Sequence, residues 1–401
     1  MTSKNNKYSR RDFFKTAGAA GAGAIIASHV TKTDAFADNK NMVVPTRPFG
    51  KTGVSVPILS MGGMFDTMAN QIILKLALKW GITYWDTSHM YGFSENGIGH
   101  YFKNNPDHRK KIFLATKPKA RDLEGMKKQF ELSLKRLNTS YIDLYFFNMV
   151  ENTDVLNDDV RKWAESLKKQ GKIKLFGFST HKNMEKSMMD GAKLDWIDGI
   201  MTAYNFRLMH KPSMKEAIQA CAEKGIGLTA MKTQGGGSIK TETETEVELA
   251  GRFVRQGFTD KQAKLKAVWA DKRIASICSQ MPDTTILMSN IAAAIDQTSL
   301  AAKDMDILKK YACETSSDYC AGCGHICEAE VNGKVPISDI MRYLMYNRCY
   351  NQNDLARQMH STLSPGLKRQ IKSIDFSAAE RKCPQKMAIA KLMKEAAGIL
   401  T

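Results

Sequence analysis

Tyr84-Trp85-Asp86-Thr87-Ser88-His89-Met90-Tyr91-Gly92 is the stretch on which the reading of this chain turns. The apolar run from Gly81 to Trp85 has strand character and delivers Asp86, with Tyr91 five residues on. Ile112-Phe113-Leu114-Ala115-Thr116 delivers Lys117 in the same way, and Ile142 to Phe147 delivers Asn148. Alone, an Asp at a strand end caps the next helix, and a lone Tyr or Lys there is surface. Together, on consecutive strands, they form a candidate site for proton transfer. An ammonium stabilises tyrosinate and lowers the tyrosine pKa, while an Asp beside the Lys keeps it charged and oriented.

Outward from this stretch, short β-branched or apolar runs alternate with segments of helical period. Strands are expected at Ile58–Met61, Thr83–Asp86, Ile112–Lys117, Ile142–Asn148, Leu175–Ser179, Gly199–Tyr204, Gly227–Lys232 and Ile274–Ser279. Helices are expected at Asn70–Trp80, Leu123–Leu137, Asp158–Gln170, Ser213–Lys224, Thr259–Asp271 and, last, Thr284 to Ala302. Phe49-Gly50-Lys51-Thr52-Gly53-Val54 reads as a tight turn between short extended pieces. Strand–helix units repeated over roughly 250 residues indicate an α/β fold, a (β/α)8 TIM barrel, with its site at the carboxyl ends of the strands. Glu242, Glu244, Glu246 and Glu248 read as a solvated mobile loop.

The strand ends carry a further likeness. Phe49-Gly50-Lys51-Thr52-Gly53, Trp85 to Gly92, Ala115-Thr116-Lys117, Tyr141 to Phe147, Gly177-Phe178-Ser179-Thr180-His181, Tyr204-Asn205-Phe206 and Met231 to Gly237 together resemble the aldo-keto reductase superfamily over residues 45–303. The resemblance implies reduction of aldehydes and ketones by NAD(P)(H). It gives catalytic roles to Tyr91, Lys117 and Asp86, and places Asn148 where the family has its histidine. An amide donates a hydrogen bond but does not titrate in this range. His89, beside the Tyr91 loop, is a substitute to consider. The resemblance further sets Ser179 and Thr180 at the nicotinamide amide, Lys232, Thr233, Gln234 and Gly235 along the pyrophosphate, and Asn290 near the adenine. Met288 and Ser289 stand where the family has a basic residue for the 2′-phosphate, which weakens any NADP preference.

Residues 304–401 change character. They read as a mainly helical extension with breaks at Gly322–Gly324, Gly333–Pro336 and Pro365-Gly366. Six of the eight cysteines lie here, while Cys221 and Cys278 read as core thiols. Cys320, Cys323 and Cys327 in a glycine-containing loop, with Cys383-Pro384 opening a last helix, resemble bacterial ferredoxin-type segments. The resemblance implies a single [4Fe–4S] cluster held by Cys320, Cys323, Cys327 and Cys383. Disulfides, free thiols and zinc remain open readings of the same cysteines.

Residues 1–37 read as a twin-arginine export signal: Ser9-Arg10-Arg11-Asp12-Phe13-Phe14-Lys15, a weakly apolar segment, then Ala35-Phe36-Ala37 for cleavage. The expected location is therefore periplasmic or otherwise exported, with the export machinery as a partner and no stable membrane insertion after cleavage. That route carries folded, cofactor-loaded proteins, so a nicotinamide cofactor would be tightly retained. The formal charge of +18 is spread over helical faces without a nucleic-acid motif, so no nucleic-acid partner is expected. The expected function is hydride transfer between a nicotinamide and a small carbonyl or alcohol. A non-catalytic binding barrel and an iron–sulfur electron-transfer protein are the alternatives.

Overall fold

The computed structural model describes residues 43–239, 242–296 and 298–400, so the expected signal at 1–37 lies outside it. Eight parallel strands close into a barrel, the last in sequence pairing with both the first and the seventh. They are β3 (Leu59–Gly62), β4 (Tyr84–Asp86), β5 (Phe113–Thr116), β6 (Ile142–Phe147), β7 (Ile173–Thr180), β8 (Gly199–Ala203), β9 (Gly227–Met231) and β10 (Ile274–Gln280). The TIM barrel expected from the alternating pattern is the fold, with a helical C-terminal region. Among the described residues no helix is long and apolar enough to cross a membrane.

The helix Asp158–Lys169 shows why the outer ring forms. The Asn157 side chain caps it by accepting from the Val160 amide at 3.1 Å. Asp158 and Asp159 sit in its first turn and Lys168 and Lys169 in its last, matching the helix dipole. Val160, Ala164 and Leu167, three and four residues apart, form its buried face.

A hairpin of β1 (Thr46–Pro48) and β2 (Ser55–Pro57) closes the amino-terminal end of the barrel. Its turn residue Phe49 is fully buried among Tyr84, Phe113, Leu144, Phe146 and Met201 inside the barrel. Gly227 is glycine for this reason, since a Cβ there would lie 2.4 Å from the Phe49 ring.

Three expectations need correction. Three of the four glutamates, Glu244, Glu246 and Glu248, lie in a helix, Glu244–Arg255, which starts there because Thr243 and Glu246 form a capping box. The last barrel helix ends at Ile295, and a separate helix begins at Ala302 and packs beside Glu244–Arg255, with Arg252 and Gln256 bonded to the buried Asp304. Cys383-Pro384 does not open the final helix. Cys383 ends the helix Ser377–Lys382 in extended conformation, Lys386 turns left-handed at φ 54°, and the final helix starts at Ile389.

The extension has its own apolar core, including Val335, Ile340, Leu344, Phe376, Ile389 and Met393. Truncating the barrel plug, Phe49→Ala, should leave a cavity inside the barrel and cost about 3–5 kcal/mol. A urea-unfolding midpoint unchanged from the parent would show that the hairpin does not support the barrel.

Candidate active site

Asp86 ends β4 and Lys117 directly follows β5, which puts both at the carboxyl-terminal mouth of the barrel and almost fully buried. Lys117 Nζ donates to both Asp86 carboxylate oxygens at 2.7 Å and to the Thr87 carbonyl at 2.9 Å. Burial pushes the Asp86 carboxyl up, with the Lys117 ammonium opposing the shift. Tyr91 comes back over this pair through a turn in which its amide donates to the Ser88 carbonyl. The Lys117 ammonium lies 5.1 Å from the Tyr91 ring centre. The phenol is not lowered by it, as the sequence suggested. Burial, followed by the charge of Asp86, raises it well above 10.0. Lys117 is engaged by Asp86 and Thr87, and Tyr91 stays protonated.

Asn148 follows β6. Its Nδ2 donates to the Pro118 carbonyl at 2.9 Å and its Oδ1 accepts from Ser179 Oγ at 3.0 Å. The amide is thus tied to the barrel wall. His89 is half-buried, its Nδ1 3.1 Å from Arg136 Nη1. A second imidazole, His181, stands past the end of β7 and lines the mouth, with Nδ1 buried and without a hydrogen-bond partner. Burial, then the charges of Arg342, Lys232 and Lys117, hold it well below 6.5 and neutral. Sequence reading passed over it, although it closes the motif Gly177–His181.

The mouth encloses a cavity of about 550 Å³, within the usual range for small-molecule sites. Asp86, Tyr91, Asn148 and His181 line it, and Cys278, read from sequence as core, also faces it. Of the residues expected at a dinucleotide, Lys232, Thr233 and Gln234 line the cavity. Ser179, Thr180, Gly235 and Asn290 are not among its lining. The Ser179 hydroxyl is bonded to Asn148 and to the Met149 amide, Thr180 Oγ1 to the Lys182 carbonyl, and Asn290 Nδ2 to Ser279 Oγ.

The C-terminal extension forms the remaining wall. The helix Ile337–Tyr350 brings Arg342, Tyr346 and Tyr350 to the cavity. Lys232 Nζ donates to the Tyr346 hydroxyl at 2.6 Å. Burial works to raise this phenol, but the charges of Lys232 and Arg342 outweigh it and leave it below 10.0. The lysine-lowered tyrosine expected from the sequence therefore exists, as Tyr346 rather than Tyr91. Tyr350 accepts from the Gly236 amide at 3.3 Å, and Tyr319 and Cys349 lie against Gly236 and Gly237. Gly236 and Gly237, just past the Gly235 expected along the pyrophosphate, thus admit the extension's side chains, while Gly235 packs on Phe206.

Cys320, Cys323, Cys327 and Cys383 line one small cavity within the extension, with Ile337, Met341 and Met387. These four are free thiols in this structure. Burial pushes Cys320 and Cys327 up to about 12. Among the described residues no three His, Cys, Asp or Glu side chains are grouped so as to hold a metal ion.

The model of the family described as "Aldo/keto reductase family" matches residues 60–334, and that of the twin-arginine translocation signal matches residues 7–27. An aldo-keto reductase of Schizosaccharomyces pombe, yakc, named for NADP(+), is 31% identical over 49% of this chain and 63% of its own length. The aldo-keto reductase str7 of Strobilurus tenacellus is 35% identical over 49% of this chain and 63% of its own. The chain thus spans a little under two thirds of the length of these curated relatives. The solved structure of a Bacillus halodurans aldo-keto reductase in its holo form aligns with a TM-score of 0.53 at 23% identity, covering 67% of this chain and 96% of that one, a likeness of fold.

His89, His181, His210 and His360 are all held below 6.5, burial being the first cause in each. Each binds fewer protons folded than unfolded in the window just below that value, so stability rises with pH there and is lost on acidification. The urea midpoint should fall between about pH 7.5 and about pH 5, and less steeply in His181→Gln. A midpoint flat across that range would contradict the buried neutral state.

Proposed function

Since the chain belongs to the aldo/keto reductase family and carries a signal for export across the membrane, we propose that it is an exported oxidoreductase reducing the carbonyl group of a small molecule at the barrel mouth. Residues 45–303 form the reductase barrel and residues 304–401 the extension that closes it. The observation that carries this reading is that Asp86 and Tyr91 line a ligand-sized cavity, with Lys117 bonded to Asp86 and facing the Tyr91 ring.

The chemistry follows from how each group is held. Tyr91, kept protonated, gives its proton to the carbonyl oxygen as the carbon is reduced, and the Lys117 ammonium lies 5.1 Å from its ring. Asp86 keeps Lys117 charged and in place. Asn148 is engaged by Pro118 and Ser179, so the neutral His181 takes over the family histidine's task of orienting the carbonyl. The reverse reaction on an alcohol would use the same groups.

A nicotinamide dinucleotide, when bound, supplies the hydride. Lys232, Thr233 and Gln234 are the residues that would hold it, and the buried Gln234 Oε1, without a partner, fits a polar ligand there. The extension covers the glycine loop next to them, which suits a cofactor loaded before export and retained afterwards. A second reading concerns the extension itself. The four cysteines line one small cavity, and their sequence pattern resembles that of ferredoxin-type segments, so they are the residues that would hold a [4Fe–4S] cluster. Its role would be to brace the extension.

Tyr91→Phe should lower carbonyl turnover by about 10²- to 10⁴-fold with the fold retained. Undiminished turnover would remove Tyr91 from the chemistry and favour a binding role for the barrel. For the cysteines, Cys383→Ser should abolish bound iron and visible absorption in anaerobically purified protein. Colourless, iron-free parent protein would end that second reading.

A further inference from the structure

The cavity wall supplied by the extension has charge that the proton-transfer groups do not use. Arg342, Tyr346 and Tyr350 recur every four residues on one face of the helix Ile337–Tyr350. Arg342 is 7% exposed. Its Nη2 donates to Asp339 Oδ1 at 2.5 Å, whereas its Nε and Nη1 are buried and have no hydrogen-bond partner. A buried guanidinium is costly unless its donors are met, so two idle nitrogens beside a cavity call for an acceptor within it.

The surroundings decide the acceptor's charge. The charged lining consists of Lys119, Lys232, Arg342 and Asp86. The one carboxylate among them, Asp86, is already matched by Lys117. Glu151 and Glu328 share Lys182 at 2.8 Å each, and Glu151 also meets Arg121 at 3.4 Å. Asp339 meets one nitrogen of Arg342 and stands 3.8 Å from Lys182. The cavity is left with surplus positive charge against the extension, focused by low-dielectric walls.

We propose that this wall is an oxyanion subsite, in which Arg342, with Lys232 and the Tyr346 hydroxyl beside it, receives a carboxylate or phosphoryl group of the ligand in the cavity. The proposal rests on reading the barrel mouth as the reductase site, and it specifies that site's ligand. Either the carbonyl substrate bears an acidic group, or the anion is the phosphate of the dinucleotide. Both present the same oxygens to Arg342. The subsite comes from residues beyond the barrel, so it belongs to the extension and not to the barrel alone.

Calorimetric titration of the full exported chain tests this with three probes: pyruvate, its uncharged methyl ester, and inorganic pyrophosphate. At least one anion should bind more tightly than the ester, and Arg342→Met should weaken that anion by about ten- to a hundredfold while leaving the ester unchanged. Arg342→Lys should recover part of the loss. Sensitivity confined to pyruvate assigns the subsite to the substrate, and sensitivity confined to pyrophosphate assigns it to the cofactor. No preference for either anion, or preference unaffected by Arg342→Met, overturns the proposal. Circular dichroism and the thermal midpoint report whether the variant folds, and Lys232→Met gives the same readout if it does not. Tyr91→Phe separates the two readings. Retained anion affinity with lost turnover supports both, whereas retained turnover refutes the catalytic reading and leaves the anion result standing on its own.

Discussion

Walling a lysine ammonium into a barrel is costly unless a carboxylate is placed beside it, and the pair Asp86–Lys117 meets that constraint from two adjacent strands. The pair is buried from solvent, so removing either member would strand the other charge. It also fixes where Tyr91 can act, because the turn after β4 returns the phenol over the ammonium. The barrel beneath is built to make those strand ends rigid. Phe49 fills its far end, and the strands pair without interruption around the ring apart from one register shift between β9 and β10.

The extension is held to this mouth by interactions of several kinds. Lys182, past the end of β7, joins Glu151 of the barrel to Glu328 of the extension, and Gly322 accepts from the Asn183 amide at 2.7 Å. A Cβ on Gly322 would strike the His181 carbonyl at 2.5 Å, so the cysteine loop lies directly on the segment presenting that imidazole. Arg207 bonds to Gly235 and Thr315, and Asn205 to the Tyr319 hydroxyl. The segment bearing the cysteines therefore packs on the barrel loops beside the mouth, and the helix bearing Arg342 lines the mouth itself.

The barrel was legible because its signal is local. Eight apolar runs alternating with helical segments reveal the strands, and Asp86, Lys117 and Asn148 at the ends of three of them mark the carboxyl end. Asp86, Tyr91, Lys117 and Asn148 were found in this way, and the structure brings them to one mouth. The glutamate run was misread because alternate charges suggested solvent, although Thr243 and Glu246 carried a helix-start signal of their own. What the extension does at the mouth was not legible. Lys232 and Tyr346 are 114 residues apart, and helical periodicity does not say which face of a barrel a helix will cover. Nor does sequence show that Lys117 is engaged by Asp86 and Thr87, which leaves Tyr91 raised and Tyr346 lowered.

The central claim is an oxidoreductase site closed by its own extension over a cofactor taken on before export. Native mass spectrometry of the exported protein, purified without added nucleotide, tests it most directly. The account predicts one nicotinamide dinucleotide retained per chain. Protein that leaves the cell without nucleotide, and takes up none when it is supplied, would contradict it.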